Sequence, residues 1–247
     1  MTWSIVARDS SGALGVAVAS RFFAVGSLCP YAESGVGAVA TQALVNPHLG
    51  PAALARLAEG DEPAHVLSAV IADDAGRDVR QLHLVDARGR AAAYTGSACI
   101  DWCGHVTGEN FSVAGNMLAG PRVIGDAADA YRENAQLDFA ERLLTAMEAG
   151  EAAGGDKRGK QAAALRIVTT ERYPALDLRV DDHPEPLREL RRLLAKSLER
   201  FQPFVACLPS RANPSGIVDR AVIEREIEAF TARRANQATV EPVRMKP

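Results

Sequence analysis

The sequence predicts an α+β fold of four layers, two β-sheets face to face with helices on each outer side (αββα), followed by a helical C-terminal extension. Three observations carry that expectation. Strand-like and helix-like segments arrive in blocks: strands, two helices, strands, two helices, strands, one helix. The strands come as antiparallel hairpins with short polar turns, which excludes alternating βαβ units. One glycine- and alanine-rich strand, Gly35 to Val45, carries no charge, as expected of a strand covered on both faces.

Taken in order, residues 2–8 and 14–23 are apolar, β-prone runs joined by Asp9-Ser10-Ser11-Gly12, a hairpin turn. After the run Gly35–Val45, two helices are predicted at Pro51–Glu59 and Pro63–Asp73, each with proline in its first turn. Gln81–Asp86 and Ala91–Thr95 flank Ala87-Arg88-Gly89-Arg90 as a second hairpin. Short strands are expected at Cys99–Trp102, His105–Thr107 and Phe111–Ala114. Two more helices follow, Arg122–Asn134 and Leu137–Ala149, the second ended by Gly150. A glycine-flanked loop, Gly154 to Gly159, leads to strands Ala163–Thr169 and Leu176–Val180 and an amphipathic helix from Pro186 to about Arg200. The division expected is a main domain over 1–200 and an arm over 201–247, with a helical pattern at Val218–Arg233 and a mobile last dozen residues.

The 247 residues are enough for a full core, and 47% hydrophobic with 24% charged residues is ordinary globular composition. A net charge of −3 offers no electrostatic reason to bind nucleic acid or an anionic membrane. No stretch is long and apolar enough to span a bilayer, and no signal-peptide pattern opens the chain. With four cysteines read as reduced thiols, the expected compartment is the cytoplasm.

Chemistry enters at Thr2. Removal of Met1 would leave its hydroxyl beside a free α-amine, whose ordinary pKa of about 7.7–8.0 lets it accept a proton near neutrality. Nucleophile and base would then reside in one residue. The plain alternative is an unremarkable strand that begins at the second residue.

Four motifs narrow the choice: TWSIVARDSSGALGVAVASRFFAVGS over 2–27, GVGAVATQALVNPHLGP over 35–51, CIDWCGHVTGENFSVAGNML over 99–118, and MEAGEAAGGDKRGKQAAAL over 147–165. Together they resemble a bacterial family of unassigned function described as N-terminal nucleophile (Ntn) hydrolase-like, over about residues 2–200. The resemblance implies the αββα fold. It also implies that Thr2 stands at the exposed end of the first strand and that the subunits associate through outer helices as a homodimer. No cofactor or metal is implied.

Around Thr2, the second strand ends in Ala19-Ser20-Arg21. In the family reading Arg21 tunes the amine or clamps a substrate carboxylate, with a surface arginine as the alternative. Ser20 is assigned to substrate binding or proton relay. Thr41-Gln42 interrupts a run of small apolar residues, so Gln42 needs a buried partner or a ligand and is a candidate oxyanion donor. Asn116 is a second such donor, or else a left-handed turn residue. Asp156 is expected to pair with the N-terminal ammonium or with Arg21, holding the site in register. Asn46 and Lys157 complete the substrate-binding set, and His48 reads as a loop histidine. Cys99, Cys103 and His105 form Cys-x₃-Cys-x-His, but no second ligand pair of structural-zinc spacing accompanies them.

The function expected is an amidohydrolase that cleaves the C–N bond of a small-molecule amide through a Thr2 acyl-enzyme. The alternatives are a non-catalytic scaffold of the same fold that binds a ligand or partner, and a cysteine- or zinc-dependent enzyme.

Overall fold

The computed structural model describes residues 2–240, with side chains through residue 234. The state of Met1, on which the free amine depends, lies outside them. The first compact unit ends at Arg191. It holds two antiparallel sheets. One has six strands in the order β10-β9-β2-β1-β8-β7, the other four in the order β3-β4-β5-β6. The strands are β1 (Thr2–Arg8), β2 (Leu14–Ser20), β3 (Pro30–Glu33), β4 (Gly37–Ala43), β5 (Arg80–Asp86), β6 (Ala91–Thr95), β7 (Gly104–Gly108), β8 (Phe111–Asn116), β9 (Ala162–Val168) and β10 (Leu176–Val180).

Strand alternation decides what each face meets. On β1, Ser4 and Val6 point toward the four-stranded sheet. Trp3, the residue before Ser4, points outward, its Nε1 donating to Met147 O at 3.4 Å. On β5, Leu82 and Leu84 turn outward into a core with Leu54, Leu57, Val66 and Val70 of helices α1 (Leu49–Ala58) and α2 (Pro63–Ala72). Helices α3 (Arg122–Glu133) and α4 (Phe139–Ala152) pack on the six-stranded sheet. Between the sheets, one half of the interior is apolar, built from Val6, Val16, Val18, Val25, Ala40 and Val85 among others. The other half is polar.

Each helical layer admits one aromatic side chain through a glycine. A Cβ on Gly50 of α1 would fall 2.2 Å from the Tyr31 ring, and one on Gly150 of α4 would fall 2.9 Å from Trp3 Nε1. That second contact corrects the expected end of α4. Gly150 lies within the helix, which continues to Ala152 and stops before Gly154, whose φ is +115°.

Two further differences have local causes. β3 begins with Pro30, a residue that demotes a strand in a sequence reading, yet β3 is an edge strand where proline is tolerated. Cys99–Trp102 is not a strand. Its backbone accepts hydrogen bonds from Met117 N and Leu118 N at 2.8 and 2.9 Å and forms a wall beside the end of β8. The first hairpin forms as predicted, with Asp9 Oδ1 accepting from Ser11 N and Ala13 N.

Arg191 on α5 (Pro186–Ser197) bridges Glu141 and Glu148 of α4. The second unit, from Arg192, contains α6 (Phe201–Val205) and α7 (Arg220–Val240), and Arg200, just before α6, pairs with Glu224 of α7. Of the last dozen residues, 236–240 continue α7 and 241–247 lie outside the described residues. No helix among the described residues is long and apolar enough to cross a membrane.

Candidate active site

Thr2 is the first residue of a central strand and stands directly opposite Ser20 of β2 and Asn116 of β8. Residues opposite one another share a face. Because Ser4 faces the second sheet, Thr2, Ser20 and Asn116 face it too, at the end of the inter-sheet space. Thr2 Oγ1 donates to Ser20 Oγ at 3.2 Å. Thr2 is buried rather than exposed, but it lines a narrow cavity of about 50 Å³ with Phe22, Val25, Cys29, Gln42 and Val45. A second cavity of about 340 Å³ is lined by Asn116, Met117, Leu44, Val79, Cys99 and Ile100, and Ala43 borders both.

Behind these cavities runs a chain of buried polar groups whose orientations can be deduced. Gln81 Nε2 faces the carbonyls of Gly115 at 2.8 Å and Gly104 at 3.1 Å, so that atom is the amide nitrogen. Gln81 Oε1 therefore accepts, from Gln42 Nε2 at 2.8 Å and from Asn116 Nδ2 at 3.0 Å. Gln42 Oε1 in turn accepts from the Ser4 hydroxyl at 2.7 Å. Ser4 has then spent its hydrogen, and the 2.8 Å contact to His83 Nε2 must be donated by the imidazole. His83 Nδ1 accepts from Ser112 Oγ at 3.1 Å. The amide nitrogens of Gln42 and Asn116 each retain a second hydrogen, at residues that line the two cavities.

His83 is fully buried, and burial, with His105 adding to it, pulls its pKa down to about 3 from the ordinary 6.5. It stays neutral and serves as a fixed donor–acceptor post. The unfolded chain takes up a proton at this residue below pH 6.5 and the folded chain does not until about 3. Stability is therefore expected to fall as pH drops through that window, by up to about 1.4 kcal/mol per pH unit from this residue. Urea unfolding at about pH 7 and about pH 5 should show a smaller loss for His83→Gln than for the wild type. Equal losses would assign the dependence to other groups.

The remaining predicted residues divide. Asp156 is buried beneath the site and accepts from the backbone N–H of Arg21 at 2.8 Å, so it holds the residue after Ser20 in place. Its ion pair is with Arg158, not with the Arg21 guanidinium. The Arg21 side chain lines a separate charged cleft with Lys160, Asp182, His183 and Glu185. Asn46 is a loop-holding residue, donating to Asp74 at 3.2 Å and accepting from His48 N at 3.1 Å. Lys157 Nζ donates to Asp101 O at 2.8 Å. Thr2, Ser20, Gln42 and Asn116 thus come together with Asp156 as support, while Arg21, Asn46 and Lys157 turn elsewhere. Asn116 is itself a strand residue, and the left-handed turn falls on Met117, with φ 53°.

The cysteine alternatives lack the needed geometry. Cys29 shares the Thr2 cavity, but burial pushes its thiol up to about 12, leaving it protonated at neutral pH. Cys99 and Cys103 donate to the carbonyls of Arg80 and Cys99, and His105 engages Thr95. No group of three His, Cys, Asp or Glu among the described residues is placed to hold a metal.

The model of a family of unknown function, DUF1028, matches residues 2–190. The chain belongs to DUF1028. Among solved structures, protein SPO2555 from Silicibacter pomeroyi, described with the same family, is 33% identical with a TM-score of 0.83, over 89% of this chain and 96% of that one. Anbu (ancestral beta-subunit) from Yersinia bercovieri is 14% identical with a TM-score of 0.34, over 84% of this chain and 98% of that one. Anbu from Hyphomicrobium sp. strain MC1 is 12% identical with a TM-score of 0.42, over 79% and 94%. No curated protein matches the chain.

In this DUF1028 chain, sequence reasoning missed Ser4, Gln81 and His83. The signal was present in Gln81-Leu82-His83-Leu84, an alternation ordinarily read as a strand with one face in water. Here the polar face turns inward to the other sheet.

Proposed function

We propose that this DUF1028 protein is an Ntn-type amidohydrolase acting on a small-molecule amide, with Thr2 as nucleophile after cleavage of the peptide bond that precedes it. The observation that carries the reading is the position of Thr2. It is the first residue of a central strand, its hydroxyl is hydrogen-bonded to Ser20, and it lines a cavity flanked by two buried amides.

In this reading Thr2 Oγ1 attacks the amide carbonyl carbon while its proton passes to the freed α-amine. Gln42 and Asn116, through their second amide hydrogens, stabilise the oxyanion. Collapse breaks the C–N bond, the α-amine returns the proton to the leaving amine, and a Thr2 ester remains. Water activated by the same amine releases the acid. Ser20 orients the nucleophile, and Asp156, through the Arg21 N–H, fixes the end of β2.

The buried network also supports a second reading, a ligand-binding scaffold of the same fold, since Gln42 and Asn116 brace the sheets through Gln81 whatever happens at Thr2. Intact mass and activity on a panel of small amides separate the two. The hydrolase reading expects a chain beginning at Thr2, with kcat/KM rising with pH through the amine's pKa, which is about 8 in model compounds. Acetylation of that amine should abolish turnover with the hydroxyl intact. Unchanged turnover in fully blocked protein would remove the amine from the mechanism.

A further inference from the structure

We propose that the larger cavity beside Asn116 is a subsite for an uncharged, apolar group, so that the amide acted on at Thr2 carries a hydrophobic substituent. This rests on the Thr2 reading and names its substrate class. Asn116 stands opposite Thr2 and Ala43 borders both cavities, so a molecule seated in the larger one needs to reach only past Ala43 to enter the cavity that Thr2 lines.

The lining excludes charge. Leu44, Val79, Ala98, Cys99, Ile100 and Met117 surround Asn116, and among the described residues the lining holds no ionised side chain. Cys99 belongs to this neutral surface, since its thiol donates to Arg80 O at 3.2 Å. A charged substituent would lose its water and find no counter-charge. An apolar one gains by burial. The volume of about 340 Å³ compares with about 150 Å³ for a dry cavity that accepts benzene, so a group about twice that size is accommodated.

Two further features mark the cavity as a binding surface. Leu44 and Ile100 in its wall remain 65% and 57% exposed, apolar side chains left open to solvent at the mouth. Ala43 and Met117, which immediately follow Gln42 and Asn116, both adopt left-handed backbone at φ 70° and 53°. Such conformations persist where surroundings over-determine them. Here the Gln81 amide pins both preceding residues. The charged cleft that holds Arg21 is a different surface, and its Lys160 is already paired with Glu151 and Glu185.

The test uses the full chain carrying Thr2→Ala, so that binding is read without turnover. Phenylbutyramide, acetamide and succinamate are titrated by calorimetry, with methyl NMR to locate the bound probe. Phenylbutyramide should bind about tenfold to a hundredfold more tightly than acetamide and shift the Leu44, Ile100 and Met117 methyls. Ile100→Asp, at an exposed position, should weaken it about tenfold, and Ala98→Trp, also in the cavity wall, should occupy the cavity and do the same. Equal affinity for the three probes, shifts elsewhere, or tightest binding of succinamate with loss in Arg21→Gln would overturn the subsite. If the binding pattern holds while wild-type protein hydrolyses no amide, the subsite stands and the nucleophile assignment fails.

Discussion

Thr2→Val is expected to lower amide turnover by about a thousandfold or more, because it removes the attacking oxygen while keeping the side chain's shape. The cost in stability should be small by comparison. Among the described residues Thr2 makes one side-chain hydrogen bond, to Ser20, at 3.2 Å. Losing it costs about 1–2 kcal/mol, or a fall in Tm of about 2–8 °C for a chain of this size. Thr2→Ser keeps the hydroxyl and should retain measurable turnover. Those two variants, assayed beside thermal unfolding, separate loss of the nucleophile from loss of the fold. Turnover retained by Thr2→Val would place the nucleophile elsewhere.

The largest effect on stability is expected at Gln81. The two hydrogens of its amide nitrogen are shared among Thr95 Oγ1 and the carbonyls of Gly104 and Gly115, and its oxygen accepts from Gln42 and Asn116, with no exposure to solvent. Gln81→Leu preserves volume but strands several buried polar partners, at about 1–3 kcal/mol for each that cannot find another. A total loss of about 3–5 kcal/mol is expected, read as a lower urea midpoint at unchanged slope. Turnover should fall as well, because Gln81 Oε1 orients both amides proposed to face the oxyanion. A loss under about 1 kcal/mol would mean that the network rearranges around the gap and does not brace the sheets.

These two residues show how differently the sequence exposed its contents. Thr2 was legible because its evidence is local, a hydroxyl at the head of a β-prone run. Gln42 was legible for a similar reason, a polar amide amid small apolar neighbours that had to find a partner. Gln81 and His83 were not, since polar residues alternating with leucines describe a half-wetted strand equally well. Arg21 and Asn46 are suggested for the site by their nearness in sequence to strand ends, and Lys157 by its glycine-flanked loop. Long polar side chains at such positions swing to whichever acceptor the neighbouring loops offer, and Asp74 and Asp101 come from distant parts of the chain.

Turn chemistry and periodicity act over a few residues, so the hairpins, the helix pairs and the start of β1 at Thr2 are readable from the residues alone. It also carried the glycines, though not their purpose. Only the tertiary structure showed that Gly150 lies inside α4 to admit Trp3, and that Cys99–Trp102 forms a wall and not a strand. It alone turned Ser4, Gln42, Gln81 and His83 toward one another. A period of two says which residues of a strand share a face. What that face meets is decided by the other sheet, whose residues lie dozens of positions away.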